Sequence, residues 1–286
     1  MATQAPTLHS LSERKRSGKP IVMVTAYDWP TATAAEEAKV DLVLAGDTAA
    51  MTTLGYPSTV PVTVEEMLSL TAAVRRGLQT PLLIGDLPMG SYEVSDEQAV
   101  STAQRFIKLG CAAVKLEGGG EMALSRLEAI IAAGIPAMGH LGVTPQTSSA
   151  SGGFRARGRS AAEAYELLGR GIAIEYVGCF ALVLEAVASE VAATISRRLA
   201  IPTIGIGAGP ETDGQVLVMN DLLGVFDNPP RFAKRYAEIG KAMHTAVRSY
   251  AEDVRGRAFP QAEHCYSIPD EELKEFRRQC ATGQGL

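Results

Sequence analysis

The chain has 286 residues, 46% of them hydrophobic and 21% charged, which excludes a mainly disordered protein and is ample for a large core. Lys plus Arg total 27 against 32 Asp plus Glu, so the formal charge is −5 and the global basic footprint of a nucleic-acid binder is missing. No run of about 18 apolar residues occurs, so no membrane-spanning helix is predicted. Cys111, Cys179, Cys265 and Cys280 form no CxxC pair, which argues against a disulfide framework or zinc ribbon and suits a reducing, cytoplasmic setting.

Residues 1–19 are polar and lack the apolar stretch of a secretory signal; they are expected to be a flexible leader. Apolar runs and helical patterns then alternate. Ile21–Thr25 reads as a strand, Thr31–Lys39 as a helix and Leu42–Ala45 as a second strand ended by Gly46-Asp47-Thr48. Thr63-Val64-Glu65-Glu66 is a capping pattern that opens a helix to Gly77. Leu82–Ile84 leads into Gly85-Asp86, a helix is predicted over Asp96–Leu109, and Ala112–Glu117 carries an internal Lys115 before three glycines. A helix over Glu121–Ala133 precedes Ile135–Met138 and Gly139-His140. In the second half, helices are predicted over Ala161–Ile174, Ser189–Leu199 and Arg231–Gly256. Strands are predicted over Phe180–Leu184 (ending at Glu185), Pro202–Ile206 and Gln215–Met219.

Strands alternating with helices imply a parallel sheet, and eight such units in roughly 250 residues match a (β/α)₈ TIM barrel. The barrel is expected over residues 20–256, as a single domain with a C-terminal tail or helix over 257–286. A doubly wound open sheet is the competing architecture. It would favour a Gly-x-Gly-x-x-Gly turn after the first strand, where Ala26-Tyr27-Asp28-Trp29 stands instead.

The informative feature is where the ionisable residues fall. Asp47, Asp86, Lys115 with Glu117, and Glu185 each close an apolar run, and His140 follows the fifth. Strand C-terminal ends of a parallel barrel meet on one face, which carries the active site. A single Asp at a strand end is ordinarily a turn former or cap. Lys115 is harder to explain that way, because a central parallel strand is buried on both faces. Glu185 beside a pocket is suited to general-base work. Carboxylates without Cys or paired His make a hard oxygen site that suits Mg²⁺ better than a dinuclear zinc centre. Gly205-Ile-Gly-Ala-Gly209 fits either an anion-binding nest or a tight turn. Ser151–Gly158, a long cationic loop, fits either a lid or a solvated loop.

Six segments carry a family resemblance. They are Met23-Val-Thr-Ala-Tyr-Asp28, Gly55-Tyr-Pro-Ser-Thr-Val-Pro-Val-Thr63, Asp86-Leu-Pro-Met89, Val114-Lys-Leu-Glu-Gly-Gly119, Gly139-His-Leu-Gly-Val-Thr-Pro-Gln146, and Ile204-Gly-Ile-Gly-Ala-Gly209 with Asp213-Gly-Gln215. In this order, from about Met23 to Tyr266, they resemble the ketopantoate hydroxymethyltransferase family of the phosphoenolpyruvate mutase and isocitrate lyase superfamily. The resemblance implies a (β/α)₈ barrel. It implies transfer of a one-carbon unit from 5,10-methylenetetrahydrofolate to 3-methyl-2-oxobutanoate, giving 2-dehydropantoate for pantothenate biosynthesis through an enolate. It implies Mg²⁺ on Asp47 and Asp86, with Glu117 as a further ligand, direct or through water. Asp47, Thr48, Asp86, Lys115 and His140 would hold or line the substrate, and Glu185 would be the acid/base. The implied partners are a 2-oxo acid, a folate and further copies of the chain, often a decamer, with no nucleic acid or membrane.

The chain departs from the family pattern at several points. Gly46-Asp47-Thr48-Ala49-Ala50 stands for Gly-Asp-Ser-Leu-Gly, and Ala50 is expected to reshape that turn by excluding positive φ. Asn220 replaces a common His and Ala188 a common Pro; Gly152-Gly-Phe-Arg-Ala-Arg-Gly158 replaces Gly-Gly-Tyr-Lys-Val-Gln-Gly. The alternatives are a paralogue hydroxymethylating a different 2-oxo acid, a lyase of the same superfamily, and a non-catalytic barrel. The Lys-Lys-Cys-Gly-His-type loop of isocitrate-type lyases does not occur here.

Overall fold

The computed structural model describes residues 5–147 and 155–282. Its sheet closes in chain order as β1 (Ile21–Thr25), β2 (Leu42–Ala45), β3 (Leu82–Asp86), β4 (Ala113–Lys115), β5 (Ala137–Gly142), β6 (Ala181–Glu185), β7 (Thr203–Ile206) and β8 (Gly214–Leu217), with β8 paired to β1. Every named pair is parallel. This is the (β/α)₈ barrel expected from the alternation, and each strand starts within two residues of its predicted position.

Alternation of side chains sorts each strand between two cores. Met23, Leu42, Leu44, Ile84, Ala113, Met138, Ala181, Val183, Ile204 and Val216 fill the barrel interior. Val24, Val43, Leu83, Val114, Leu182 and Leu184 face the surrounding helices. Those helices are α2 (Trp29–Glu37), α4 (Val64–Gly77), α5 (Asp96–Lys108), α6 (Glu121–Ala132), α7 (Ala161–Tyr176) and α8 (Ser189–Arg198). The Thr63 capping box opens α4, with Thr63 Oγ1 accepting from the Glu66 N–H and Glu66 Oε2 accepting from the Thr63 N–H. Glycine permits the closest helix approaches: a Cβ on Gly85 would lie 2.4 Å from Phe106, and one on Gly139 would lie 2.6 Å from Ile174.

The N-terminal segment is not an unstructured leader from Leu8 onward. Helix α1 (Leu8–Ser17) opens with a Thr7/Ser10 capping box and ends on Gly18 at φ 65. Its Leu11 is fully buried in the interior cluster with Ile21, Met23 and Leu42. Lys15 pairs with Asp213 at 2.7 Å and Arg14 with Asp41 at 2.7 Å, which ties the helix to the strand-entry end of the barrel. The only apolar anchors are Leu8 and Leu11 among polar residues, too short a pattern to announce a helix from sequence.

Three further elements differ from expectation. Ala50 sits fully buried in a one-turn helix, α3 (Ala49–Thr52), where alanine is favoured, so its turn needs no positive φ. A second one-turn helix, α9 (Met219–Leu222), follows β8. Residues 231–238 are not helical: Pro229-Pro230 precede them, and Phe232 packs where a Cβ on Gly207 (φ 63) would sit, 2.7 Å away. The first compact unit accordingly ends at Ala237 rather than at 256. The second, Glu238–Leu286, contains α10 (Ile239–Arg255) and α11 (Asp270–Thr282). Among the described residues no helix is long and apolar enough to cross a membrane.

Candidate active site

The barrel's own alternation delivers the ionisable residues to its interior. Asp86 follows Ile84 by two residues, Lys115 and Glu117 follow Ala113 by two and four, His140 follows Met138, and Glu185 follows Val183. Each inward apolar position is therefore continued by an inward polar one at the strand's C-terminal end. Register places Asp86 beside Lys115 and Gly142 beside Glu185. All the predicted site residues, Asp47, Thr48, Asp86, Lys115, Glu117, His140 and Glu185, line one cavity of about 1020 Å³.

The contacts form one connected set. Lys115 Nζ pairs with Asp86 Oδ1 at 2.8 Å, both side chains being almost fully buried. The other Asp86 oxygen accepts the Asp47 N–H at 3.1 Å. Lys115 Nζ also stands 3.4 Å from His140 Nδ1, and His140 Nε2 stands 3.4 Å from Glu185 Oε2. An ammonium only donates, so Nδ1 accepts and the imidazole proton belongs on Nε2, toward Glu185. Glu117 Oε1 lies 3.6 Å from His140 Nδ1.

Four carboxylates thus face one ammonium and one imidazole. Burial, reinforced by the charge of Asp86, pushes Asp47 up to about 7 despite Lys115. Burial likewise drives Glu117 well above the carboxylate range; Lys115 opposes this, while Asp47 and Asp86 add to it. For Lys115 burial favours the neutral amine, but Asp86, Glu117 and Asp47 together outweigh it and raise its pKa. Burial and then the Lys115 charge lower His140, which keeps the imidazole neutral. Among the described residues, Lys115 is the cation paired directly with this carboxylate cluster, and the four carboxylates outnumber it.

The backbone at Glu185 is tightly specified. Ala186 adopts φ 49, a left-handed conformation that costs an L-residue about 1–2 kcal/mol. Its N–H donates to Ile206 O at 2.8 Å, and its carbonyl accepts from the Arg157 N–H at 2.8 Å. Gly142 (φ 105) lies so close that a Cβ there would be 2.0 Å from Glu185 O.

Several contributors escaped the sequence reading. Gln146 and Tyr92 are buried against the carboxylates, and Tyr92 Oη donates to Gln146 Oε1 at 2.6 Å. Gln146 closes the family segment Gly139–Gln146, but nothing in a lone sequence says that its amide turns inward. Asn220 donates to Thr52 O at 2.8 Å and so holds α3 against the cavity. Of Ser151–Gly158, residues 151–154 lie outside the described residues; Arg155 and Ala156 line the cavity. Of the glycine-rich turn, Gly207 lines it too, held at φ 63 under Phe232.

Residues 5–262 match the family described as ketopantoate hydroxymethyltransferase. The chain belongs to that family. It is a hydroxymethyltransferase, hence an enzyme of the transferase class. A relative from Ignicoccus hospitalis, named 3-methyl-2-oxobutanoate hydroxymethyltransferase, is 50% identical over 254 residues, which are 89% of this chain and 96% of that one. The Arabidopsis thaliana relative, named 3-methyl-2-oxobutanoate hydroxymethyltransferase 1, mitochondrial, is 45% identical over 96% of this chain and 81% of its own. Among solved structures, a phosphonopyruvate hydrolase superposes with TM-score 0.61 at 14% identity, covering 96% of this chain and 97% of its own. A 2,3-dimethylmalate lyase, described as a phosphoenolpyruvate mutase/isocitrate lyase superfamily member, gives 0.57 at 16% identity over 95% and 98%. These two likenesses carry the fold.

Proposed function

We propose that this hydroxymethyltransferase moves the methylene carbon of 5,10-methylenetetrahydrofolate to C3 of 3-methyl-2-oxobutanoate, giving 2-dehydropantoate, through an enolate formed by Glu185. The observation that carries the reading is the line of groups across the barrel mouth. Asp47, Asp86 and Lys115 stand on one side, Glu185 on the other, and His140 bridges Lys115 and Glu185 at 3.4 Å to each.

The donor set suits Mg²⁺. Among the described residues no three His, Cys, Asp or Glu side chains close on a single point. Mg²⁺ asks for less, since one or two carboxylates with waters and substrate oxygens complete its shell. Asp47 and Asp86 are the holders in this reading, with Glu117 directly or through water. Burial, with the neighbouring carboxylates adding to it, raises Asp47 and Glu117, and a divalent cation would supply the positive charge that favours their ionised forms. Bound there, Mg²⁺ supplies a Lewis acid for the carboxylate and keto oxygens of a 2-oxo acid.

Lys115 supplies fixed positive charge for the keto oxygen as the enolate develops. Thr48 lies at the same rim and offers a hydroxyl to the acid. Glu185 takes the proton from C3, and the Nε2–H of His140 holds its carboxylate in place. Water adds to the methylene carbon as both of its bonds to the folate nitrogens break, each nitrogen keeping one proton, which frees the carbon as formaldehyde. C3 of the enolate then adds to that carbonyl carbon, and the new alkoxide takes back the proton held by Glu185. A cavity of about 1020 Å³ far exceeds a five-carbon acid and leaves room for a second, larger substrate. Exposed Met243, Val247 and Tyr250 along α10 support assembly with further copies, a decamer by family resemblance. Free thiols at all four cysteines support a cytoplasmic setting.

The test is product formation from a panel of 2-oxo acids with 5,10-methylenetetrahydrofolate or formaldehyde, read by mass spectrometry. 2-Dehydropantoate from 3-methyl-2-oxobutanoate with the folate is expected. Turnover confined to another 2-oxo acid would replace this reading with the paralogue and direct attention to Thr48 and Ala50.

A further inference from the structure

Gln146 is buried on the 3₁₀ turn Pro145–Thr147, just beyond β5, and touches both carboxylates of the proposed cation site that lie outside the Lys115–Asp86 pair. Its Nε2 donates to Asp47 Oδ2 at 2.9 Å and to Leu87 O at 3.0 Å. Its backbone N–H donates to Glu117 Oε2 at 3.1 Å. Its Oε1 accepts from Tyr92 Oη at 2.6 Å.

The orientation of this amide is settled by its partners. Leu87 O can only accept, so the atom facing it must be the nitrogen. Both hydrogens of Nε2 are then committed, one to Leu87 and one to Asp47. The amide cannot flip without facing Leu87 O and Asp47 Oδ2 with an acceptor while presenting two donors to Tyr92. Burial makes either mismatch costly. Leu87 and Tyr92 both belong to the segment after β3, so Asp47 and that segment are joined through the Gln146 side chain, and Glu117 is joined to them through its backbone N–H.

We infer that Gln146, locked by Tyr92 and Leu87, is a positioning residue that holds Asp47 and Glu117 each by one oxygen in the arrangement a divalent cation requires. This role rests on the proposed cation reading. It differs from a packing role because the bonds end on carboxyl oxygens, whose direction sets the cation's shell. Groups that orient a metal's ligands commonly change its affinity by about 10–100-fold when removed.

The experiment measures Mn²⁺ binding to the full chain by the loss of the free-ion electron paramagnetic resonance signal, which needs no turnover. Gln146→Leu is expected to weaken Mn²⁺ binding about 10–100-fold with the circular dichroism spectrum retained. Tyr92→Phe shifts affinity in the same direction by less, and the double variant is no weaker than Gln146→Leu alone, because Tyr92 acts through Gln146. Leu11→Ala, a destabilised control at the far end of the barrel, leaves the affinity unchanged, which separates positioning from general loss of stability. Affinity within about threefold of the unaltered protein in a folded Gln146→Leu overturns the inference. Where Gln146→Leu does not fold, unchanged affinity in Tyr92→Phe overturns it. An unaltered protein that binds no Mn²⁺ removes the cation reading and this role together, whereas binding that is normal in every variant removes the role of Gln146 alone.

Discussion

Replacing Lys115 by Met tests the electrostatic description of the site most sharply. The change keeps an unbranched side chain of similar length and deletes the ammonium that pairs with Asp86 at 2.8 Å. Both partners are all but excluded from solvent, with side-chain exposures of 4% and 2%. Removing one member of a buried pair leaves the other charge uncompensated and costs about 3–5 kcal/mol. Here the loss also strips Asp47 and Glu117 of the one cation that offsets their burial. At about 2–4 °C per kcal/mol, the thermal midpoint should fall by about 6–20 °C. Thermal unfolding by circular dichroism at a matched scan rate, without and with Mg²⁺, measures it. Mg²⁺ should restore more stability to Lys115→Met than to the unaltered protein, because it replaces the missing charge. Adding Asp86→Asn should recover part of the loss, since it removes the stranded carboxylate. A midpoint within about 2–4 °C of the unaltered protein, insensitive to Mg²⁺, would refute the assignment of Lys115 as the charge that holds these carboxylates together.

Other substitutions probe separate links. Leu11→Ala should cost about 2–5 kcal/mol through the cavity it opens under β1 and β2 while KM and kcat stay unchanged, which chemical denaturation and steady-state kinetics would show together. Gly142→Ala forces a left-handed alanine whose Cβ meets Glu185 O, so turnover should drop at least tenfold with Mn²⁺ binding retained; kinetics alongside the resonance assay separate the two. Burial pushes the Cys111 and Cys179 thiols up to about 12, so a disulfide reagent at pH 8 should modify only Cys265 and Cys280 in the native protein and all four thiols in denaturant.

Much of this arrangement can be read from sequence because a parallel barrel obeys two simple rules. Strands buried on both faces read as short apolar runs, and Ile84-Gly85-Asp86 or Val183-Leu184-Glu185 shows where each run meets the mouth. The alternation that puts Val183 inside also puts Glu185 there, so a list of strand ends is close to a list of site residues. Side-chain direction within loops has no such period. Gln146 and Tyr92 follow strands by several residues, and only the folded chain shows Gln146 turned onto Asp47 and Tyr92 turned onto Gln146. Helix α1 has no legible sequence pattern because Leu11 and two ion pairs to distant residues, Asp41 and Asp213, hold it in place. The segment 231–238 carries a helical pattern that loses to the docking of Phe232 over Gly207.

The central claim is that Glu185 removes the C3 proton of a 2-oxo acid held at the carboxylate–lysine end of the cavity. Solvent deuterium exchange into 3-methyl-2-oxobutanoate, followed by proton NMR with no one-carbon donor present, measures that step alone. The account predicts exchange that requires Mg²⁺ and falls by at least about 100-fold, the lower range for a positioned general base, in Glu185→Gln. Exchange that persists in Glu185→Gln, or none in the unaltered enzyme with Mg²⁺ and tetrahydrofolate both supplied, would contradict it.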